Sequence, residues 1–272
     1  MAALCCPQHS IPLLGTNLWH ARAAGICVDV SSGFVAESCT LSWLRSCSLN
    51  ASVKGLVWNR GVNPQINQID TFVKSCLPDG QGTPFAYEQL NLSANAEKPA
   101  AYRRDDVILA CKRLVAKLPP SLKETIEVDA LMLCDTLTSL CPNASWLTAQ
   151  LECVGKNNCA RWHQDLYVGR TIITYTGPGT WLVDDNSVDF SQFDKTMGVS
   201  KEVSDPLIVP DFNKIHRAQT NAVCLLKGNS WPDINGFGIT HKSPNVPLND
   251  KGEVLEKRLM LKVDLSNTQP GL

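Results

Sequence analysis

Two short segments of this chain together offer the ligand types of a metal site. His163 and Asp165 are separated by one residue, and a second histidine, His241, follows much later. If the first segment is a β-strand, His163 and Asp165 point to the same face, because side chains alternate along a strand. Two imidazoles and one carboxylate on one face of a metal leave the opposite positions open, as in non-haem Fe(II) oxygenases. We therefore predict that these three residues bind a metal and carry its chemistry.

The residue types alone do not choose the metal or the activity. Ligation by nitrogen and oxygen suits both Fe(II) and Zn(II). Three interpretations stay open: an Fe(II)-dependent oxygenase, a non-catalytic protein that holds zinc or iron in the same triad, and a metal-free interaction module. A cation that faces the open side of the metal would favour the oxygenase, since it could bind an anionic co-substrate.

The composition limits the classes of partner and the compartment. The chain has 272 residues with a formal net charge of −1, and no basic stripe points to nucleic acid. Its apolar runs are far shorter than the ~20 residues that a membrane-spanning helix needs. It has twelve cysteines without any CxxC pair, which favours reduced thiols and an intracellular, reducing compartment, either cytoplasmic or organellar. The substrate, a small molecule or a protein, is not indicated.

The hydrophobic pattern divides the chain into an N-terminal arm and one domain. We predict an irregular arm over 1–54, weakly similar to a targeting segment, and a single catalytic-type domain over 55–272. Within that domain we predict a helical half over 55–143 and a strand-rich half over 144–272.

Helical spacing of apolar residues predicts three helices after a short strand at 55–60. The first opens at Asn63-Pro64 and ends before Pro78, and a loop over 79–101 follows. The second is capped by Asp105. The third begins with a capping box, Ser121 to Glu124, and ends near Pro142.

Alternating or short apolar runs predict strands in the second half. They lie at 147–153, 161–167, 170–175, 181–183, 222–226, 236–241 and 258–265. Many short strands with metal-ligand residues near their ends are typical of a jelly roll. We therefore predict an α+β fold whose C-terminal half is a double-stranded β-helix of the cupin-like kind, with the N-terminal helices packed outside.

Several motifs in order resemble one known family. The run CARWHQDLYVGRTIITYTGPGTWL is followed by CLLKG, GITHKSP and RLMLKVD, and LVWNR and VDALMLCDTL precede it. Over about residues 55–265 the chain resembles the family called domain of unknown function 1826. That family has no established activity. Its bacterial relatives are associated with zinc-responsive gene neighbourhoods, so the resemblance keeps a role in metal homeostasis open.

A second, fainter resemblance implies a mechanism. WHQDLY, HKSPN and a later arginine are similar to the phytanoyl-CoA-type Fe(II)/2-oxoglutarate dioxygenases. This implies His163, Asp165 and His241 as iron ligands, with Arg258 binding the 2-oxoglutarate carboxylate through two hydrogen bonds. Arg258 lies 17 residues after His241, where the family pattern has about ten.

The longer spacing leaves the anchor of the co-substrate open. A hairpin at 248–256 would loop out the extra residues and bring Arg258 back to the position that the family pattern gives it. Otherwise Arg170 or Lys227, each at a strand end, is the alternative anchor. Tyr175 either hydrogen-bonds the co-substrate carboxylate or packs in the core.

Overall fold

A computed structural model describes most of the chain from residue 34 onward. The described residues are 34–38, 50–75, 86–92, 100–155, 159–232, 234, 237–245, 249–251 and 255–270. The strands are β1 Phe34–Ser38, β2 Val53–Trp58, β3 Ala86–Asn91, β4 Trp146–Val154, β5 Gly169–Thr174, β6 Trp181–Val183, β7 Ile215–Arg217, β8 Val223–Lys227, β9 Thr240–Lys242 and β10 Arg258–Ser266. The helices are α1 Ile66–Ser75, α2 Ala100–Leu114, α3 Pro120–Leu140, α4 Gln192–Lys195 and α5 Lys201–Ile208. Within these ranges, no helix combines the length and apolar character that crossing a membrane requires.

The described strands form one large and one small sheet. The large sheet has the order β1-β2-β8-β5-β10-β4-β3, and the small sheet has the order β7-β6-β9. Every neighbouring pair is antiparallel except β1 and β2, which are parallel. The strand β10 lies inside the large sheet, paired with both β4 and β5. The fold is therefore α+β with antiparallel sheets, as predicted at that level.

Alternation along β10 divides the molecule into layers. Leu259, Leu261, Val263 and Leu265 are buried in one cluster with apolar residues of α1, α2 and α3. Burial of such a side chain contributes roughly 1.5–3 kcal/mol, so the helices pack firmly on this face. On the opposite face, a second cluster joins residues of β5 and β8 to Leu182 of the small sheet. The large sheet thus lies between the helices and the small sheet.

The same alternation places a row of polar side chains between the two sheets. The residues that alternate with these buried apolar residues point to the other face of β10, towards the small sheet. They are Arg258, Met260, Lys262 and Asp264. Arg258 and Asp264 are almost fully buried there. This inner face of the large sheet forms one wall of the candidate site.

The structure differs from several sequence-based predictions in the first half. The arm predicted to be irregular carries β1, and the predicted loop carries β3, which pairs with β4. Helix α2 already contains Asp105 rather than starting at it. Two predictions lie outside the described residues, namely the targeting-like segment before residue 34 and most of the hairpin at 248–256.

The predicted capping box is also wrong. Helix α3 begins at Pro120 and follows Pro119, which makes no side-chain capping bond. Proline favours the first helical position, since its missing N–H would have no partner there. Ser121 and Glu124 consequently lie within the helix, as its second and fifth residues, rather than around its start. The predicted end of α3 before Pro142 is confirmed, since the helix ends at Leu140.

Candidate metal centre

The two histidines of the predicted triad lie side by side on neighbouring segments. The backbone N–H of His163 donates to the carbonyl of His241 at 3.0 Å, and that of His241 donates to the carbonyl of His163 at 2.9 Å. This is an isolated bridge, so the predicted strand over 161–167 is wrong. The chain leaves the sheet edge after His163, because the Asp165 carbonyl accepts from the N–H of Asn229 at 2.8 Å. The imidazole rings are 4.4 Å apart between their centroids.

Asp165 completes a compact set of ligand atoms. Its Oδ2 lies 3.4 Å from Nε2 of His241, and its Oδ1 lies 3.8 Å from Nε2 of His163. One ligand atom from each residue lies within 4.8 Å of the others. The structure therefore brings together the three residues that the sequence singled out, although only the backbone of His163 pairs like a strand.

Backbone carbonyls fix the tautomers of both histidines. Nδ1 of His163 lies 2.9 Å from the Arg161 carbonyl, and Nδ1 of His241 lies 3.1 Å from the Ile239 carbonyl. A carbonyl oxygen only accepts, so each Nδ1 carries the proton and donates it. In the neutral ring this leaves the Nε2 lone pair for a ligand. Such outer hydrogen bonds are typical of metal-binding histidines.

The electrostatics keep Asp165 and His241 in ligand form. Burial lowers the pKa of His241 to about 4, so its ring is neutral near pH 7. Burial acts to raise the pKa of Asp165, but the neighbouring His241 and Arg170 outweigh it, so that pKa lies below its ordinary value. The Asp165 Oδ2 atom is buried, and its contact with Nη1 of Arg170 at 3.0 Å is an ion pair that lacks the geometry of a hydrogen bond. Burial acts to lower the pKa of His163, but hydrogen bonds with Cys159 and the Arg161 carbonyl outweigh it, so that pKa lies above its ordinary value and a metal competes with a proton at this ring. Two imidazoles that each carry a proton on Nδ1, together with a buried carboxylate, fit Fe(II) or Zn(II).

Arg170 supports the carboxylate from behind. Its Nη1 lies 3.0 Å from Oδ2 and 3.1 Å from Oδ1 of Asp165. Its Nε and Nη2 bind the two carboxylate oxygens of Asp264 at 2.6 and 3.0 Å. All three sides of this guanidinium are in use, so we infer that Arg170 orients Asp165 rather than binding a co-substrate.

Replacing Asp264 by asparagine is expected to weaken metal binding without removing a ligand. The Arg170 guanidinium would lose its carboxylate partner and turn towards Asp165, where it competes with the metal for the same oxygens. We expect Fe(II) or Zn(II) affinity to fall about 10- to 100-fold, the usual effect of losing an outer partner. Competition with a chelating dye measures it. The exposed Asp189→Asn variant is the control, and equal affinity in both variants would contradict this role.

A cavity lies beside the triad between the two sheets. It has a volume of about 40 Å³ and contacts both histidines. The other lining residues are Glu152, Val154, Cys159, Arg170, Ile172, Thr180, Lys242, Ser243, Arg258, Met260 and Lys262. Four of the five charged side chains apart from the histidines are cations. Three of these cations, Arg170, Lys242 and Lys262, are paired with carboxylates, so Arg258 is the one that remains for an anion among the described residues.

Arg258 is the most unusual residue of this cavity. It is 1% exposed, and its Nε and Nη2 atoms have no hydrogen-bond partner among the described residues. Burial lowers its pKa to about 10. The charges of Glu152 and Glu256 act against this shift without outweighing burial. A buried cation with unpaired donors is costly, since no hydrogen bond replaces the lost hydration at those atoms. Its free donors therefore suit an anionic group inside the cavity.

The other two predicted anchors do not reach the cavity. Lys227 lies two residues after Leu225, and Tyr175 lies two residues after Ile173, both of which pack against the helices. Side chains two residues apart on a strand point to the same face, so Lys227 and Tyr175 also face the helices. Nζ of Lys227 donates to the Asn50 carbonyl at 2.7 Å. The Tyr175 hydroxyl donates to Oδ2 of Asp129 at 2.8 Å. The core alternative for Tyr175 is the one that the structure shows.

The sequence-based search missed three polar residues of the site. Glu152 on β4 and Lys262 on β10 form an ion pair of 2.6 Å on the cavity wall, and Asp264 holds Arg170. The signal was present in the alternation of β10, whose apolar residues occupy every second position. The polar residues between them had to face the site.

Tyr175→Phe is expected to affect stability and leave the site unchanged. Loss of the hydroxyl leaves the buried Asp129 carboxylate without one donor, which costs about 1–3 kcal/mol. Urea unfolding measures the loss, and metal affinity should not change. Tyr87→Phe is the matched control, because the Tyr87 hydroxyl makes only a long contact of 3.4 Å with Gln89. A Tyr175→Phe variant of full stability and weaker metal binding would contradict this assignment.

Comparison with known proteins gives remote structural likenesses and one family. A candidate oxygenase from Shewanella oneidensis has 8% identity, a TM-score of 0.35, and coverage of 87% of this chain and 90% of its own. A candidate 2OG-Fe(II) oxygenase family protein from Caulobacter crescentus has 9% identity and a TM-score of 0.35, with 87% of both chains covered. A full-length Neurospora crassa protein solved in complex with alpha-KG has 8% identity and a TM-score of 0.34, covering 82% of this chain and 78% of its own.

These structures are too remote from this chain to support a conclusion about its fold or its activity. A search of curated proteins returned no match for this chain. The family model described as "Protein of unknown function (DUF1826)" matches residues 44–264, which is most of the chain. The sequence motifs around the triad are the ones that resemble this family, and the chain belongs to it.

Proposed function

We propose that this protein is a non-haem Fe(II)-dependent oxygenase of the hydroxylase type that uses 2-oxoglutarate as its co-substrate. The observation that carries the proposal is Arg258, a buried cation with two unpartnered donors, among the described residues, in the cavity that also contacts the triad. A metal site alone needs no such cation. A co-substrate with a carboxylate at one end does, because a guanidinium binds a carboxylate through two parallel hydrogen bonds.

The strand order supports a double-stranded β-helix as the scaffold. In the large sheet, β8, β5, β10 and β4 are consecutive neighbours. In the small sheet, the His163 segment, β9, β6 and β7 are consecutive neighbours. Going along the chain from β4, successive segments alternate between the two sheets, except that β6 and β7 follow each other in the small sheet. We infer the jelly-roll arrangement from this order, with β1, β2 and β3 as additions at the two edges.

Each residue of the site has a distinct role in the proposal. His163, Asp165 and His241 would hold Fe(II), which with a bound keto acid would supply the reactivity towards dioxygen. Arg258 orients the co-substrate carboxylate. Arg170 holds Asp165 in place, and the buried walls of the cavity exclude water. The protein thus contributes orientation and a dry site rather than acid–base chemistry.

The size of the cavity predicts a movement on co-substrate binding. A volume of about 40 Å³ for the centres of water molecules holds only a few waters, because one water needs roughly 10–15 Å³ on this scale. 2-Oxoglutarate is much larger, so long side chains on the wall must shift to admit it. We expect the Glu152–Lys262 ion pair to part, because both residues lie on the wall and the Lys262 side chain is 18% exposed.

An anaerobic titration tests the proposal. Fe(II) and 2-oxoglutarate are added separately and together, and the visible charge-transfer band of the keto acid complex is followed. A band that needs both components, and that is absent in Asp165→Ala, supports the oxygenase. Uncoupled formation of succinate from 2-oxoglutarate in air is the second readout. Absence of both signals in metal-loaded protein would contradict it.

The small cavity also favours one alternative function. Room for only a few waters beside the triad suits a non-catalytic zinc or iron site of a protein in metal homeostasis. The same titration separates the two functions. Tight zinc binding that 2-oxoglutarate neither perturbs nor strengthens would favour the metal-handling role.

A further inference from the structure

Each histidine of the triad has a cation beside it in the chain that binds outside the metal site. Arg161 lies two residues before His163, and Lys242 directly follows His241. Both cations reach the connection between β6 and β7, residues 184–214, which includes α4 and α5. The metal needs neither of them as a ligand. Two separate attachments of this kind indicate that the connection has a task at the metal centre.

Arg161 binds the end of α4 through both terminal nitrogens of its guanidinium. Nη1 donates to the Thr196 carbonyl, and Nη2 donates to the Phe193 carbonyl at 2.5 Å and to Oγ1 of Thr196 at 2.7 Å. Thr196 is the residue that follows the last turn of α4, and it is buried. A guanidinium holds its donors in a rigid fork, so three acceptors at once fix the direction of the side chain.

The main chain of Arg161 transmits this attachment to a metal ligand. Its carbonyl accepts the Nδ1 proton of His163 at 2.9 Å, which sets the direction in which Nε2 points. Trp162, between the two residues, is 1% exposed and lies in one apolar cluster with Ile208 and Val209 of the connection. A shift of the connection would therefore move the carbonyl that orients the His163 ring.

A buried ion pair attaches the connection to the second histidine segment. Nζ of Lys242 pairs with Asp205 of α5 and lies 5.6 Å from the ring centroid of Trp162. Lys242 is fully buried, so water does not weaken this pair as it would at the surface. The backbone of its neighbour His241 pairs with that of His163. The two attachments thus act on one unit of chain that carries both imidazoles.

We propose that the 184–214 connection positions the histidine ligands, with Arg161 and Lys242 as the positioning residues. Closure of the connection and binding of a divalent metal then stabilise each other, because both favour the same orientation of the imidazoles. This coupling rests on the triad as a metal site, which both candidate functions share, and not on the oxygenase chemistry. Failure of the triad to bind metal would contradict the metal site itself, whereas tight binding that ignores Arg161 would contradict only the coupling.

The first test replaces Arg161 and follows the metal site. In Arg161→Met the carbonyl of residue 161 loses its fixed position, so Zn(II) affinity measured with a chelating dye should fall about 10- to 100-fold. Co(II) bound in place of zinc should show a changed visible spectrum, since its bands report the ligand geometry. Arg161→Lys, whose ammonium replaces only part of the fork, should lie in between. Asp205→Asn, which weakens the pair with Lys242, should change affinity and spectrum in the same direction. A purely structural role would lower stability and leave the affinity and the spectrum of the folded protein unchanged.

Arg217 provides a matched control at the other end of the connection. Its guanidinium also donates to backbone carbonyls, those of Phe212 at 3.2 Å and Ile215 at 3.4 Å. In the small sheet, its strand β7 pairs with β6 rather than with either histidine segment. Arg217→Met should keep the Zn(II) affinity and the Co(II) spectrum of the unchanged protein. Equal behaviour of Arg161→Met and Arg217→Met would overturn the proposal.

The second test uses the reciprocity of the coupling. Trypsin cuts a folded chain where a segment opens locally, and the connection offers Lys195 and Lys201 as sites. Zn(II) should slow this cleavage by about the factor by which Arg161→Met weakens Zn(II) binding, since linkage makes the two effects equal. In Arg161→Met, cleavage should be faster without metal, and Zn(II) should protect less.

The unchanged protein decides this test even where Arg161→Met does not fold. Cleavage of the unchanged protein at the same rate with and without Zn(II) would overturn the proposal. Equal protection by Zn(II) in the unchanged protein and in a folded Arg161→Met variant would overturn it as well, because the metal would then stabilise the connection without the arginine.

Discussion

The His163→Ala variant is expected to lose stoichiometric metal binding while it keeps its fold. Removing one of three ligands leaves His241 and Asp165, too few to hold a divalent ion tightly. We expect the loss in affinity to exceed the 10- to 100-fold effect typical of a supporting residue. The side chain of His163 is 30% exposed, so stability without metal should change by less than about 1 kcal/mol. Metal content after gel filtration and thermal unfolding of the metal-free protein measure the two effects.

A second histidine provides the control for this prediction. The side chain of His216 is 33% exposed and lies 3.4 Å from Asp184, away from the cavity. His216→Ala should retain one metal per chain. Stoichiometric metal in His163→Ala would rule out the triad, and a loss in both variants would point to general damage rather than to a ligand.

The Arg258→Met variant is expected to lose the co-substrate and gain stability. Methionine keeps much of the length and the apolar stem of the side chain but removes a buried charge whose Nε and Nη2 donors find no partner among the described residues. Replacement of buried charge by apolar volume commonly stabilises proteins by roughly 1–4 kcal/mol. We expect the metal-free variant to unfold at a higher urea concentration. The added charge-transfer band with 2-oxoglutarate should disappear, while Fe(II) still binds.

Lys227→Met is the control for Arg258, because Lys227 is an equally buried cation on the opposite face of the large sheet. It should bind 2-oxoglutarate normally and become less stable, since the Asn50 carbonyl loses its donor. An Arg258→Met variant that binds 2-oxoglutarate with full affinity would remove the central support for the oxygenase. A variant that is destabilised would show that Arg258 has a structural partner.

Sequence patterns predicted the second half of the molecule better than the first. Trp181 to Val183 is a strand with the predicted bounds, and β4, β5, β8 and β10 lie within two residues of their predicted positions. These strands are short, apolar and flanked by turns, so local pattern and tertiary environment agree. Strand β3 was missed because its residues are only half buried and show no alternation. Its pairing with β4 determines its conformation, and pairing is not visible in a local window.

The triad was found by residue type, but its geometry was not predictable from spacing alone. A strand over 161–167 would have put His163 and Asp165 on one face, and the chain instead turns away after one bridge. Contacts from Asn229 and Ser230 to the carbonyls of Asp165 and Tyr167 hold this bend. The bend also needs Gly228, because a Cβ there would lie 2.0 Å from the Tyr167 carbonyl oxygen. The spacing of the three ligands in the sequence carries no information about such long-range contacts.

The double pairing of β10 determines how the site tolerates insertions and deletions. Nine residues of β10 pair with β4, and six of the same residues pair with β5. The position of Arg258 is therefore fixed by ladder register and not by the number of residues that separate it from His241. Related chains can lengthen or shorten the connection before β10 and keep the same cavity. A single residue gained or lost inside β10 would turn the arginine towards the helices and carry a leucine into the metal centre.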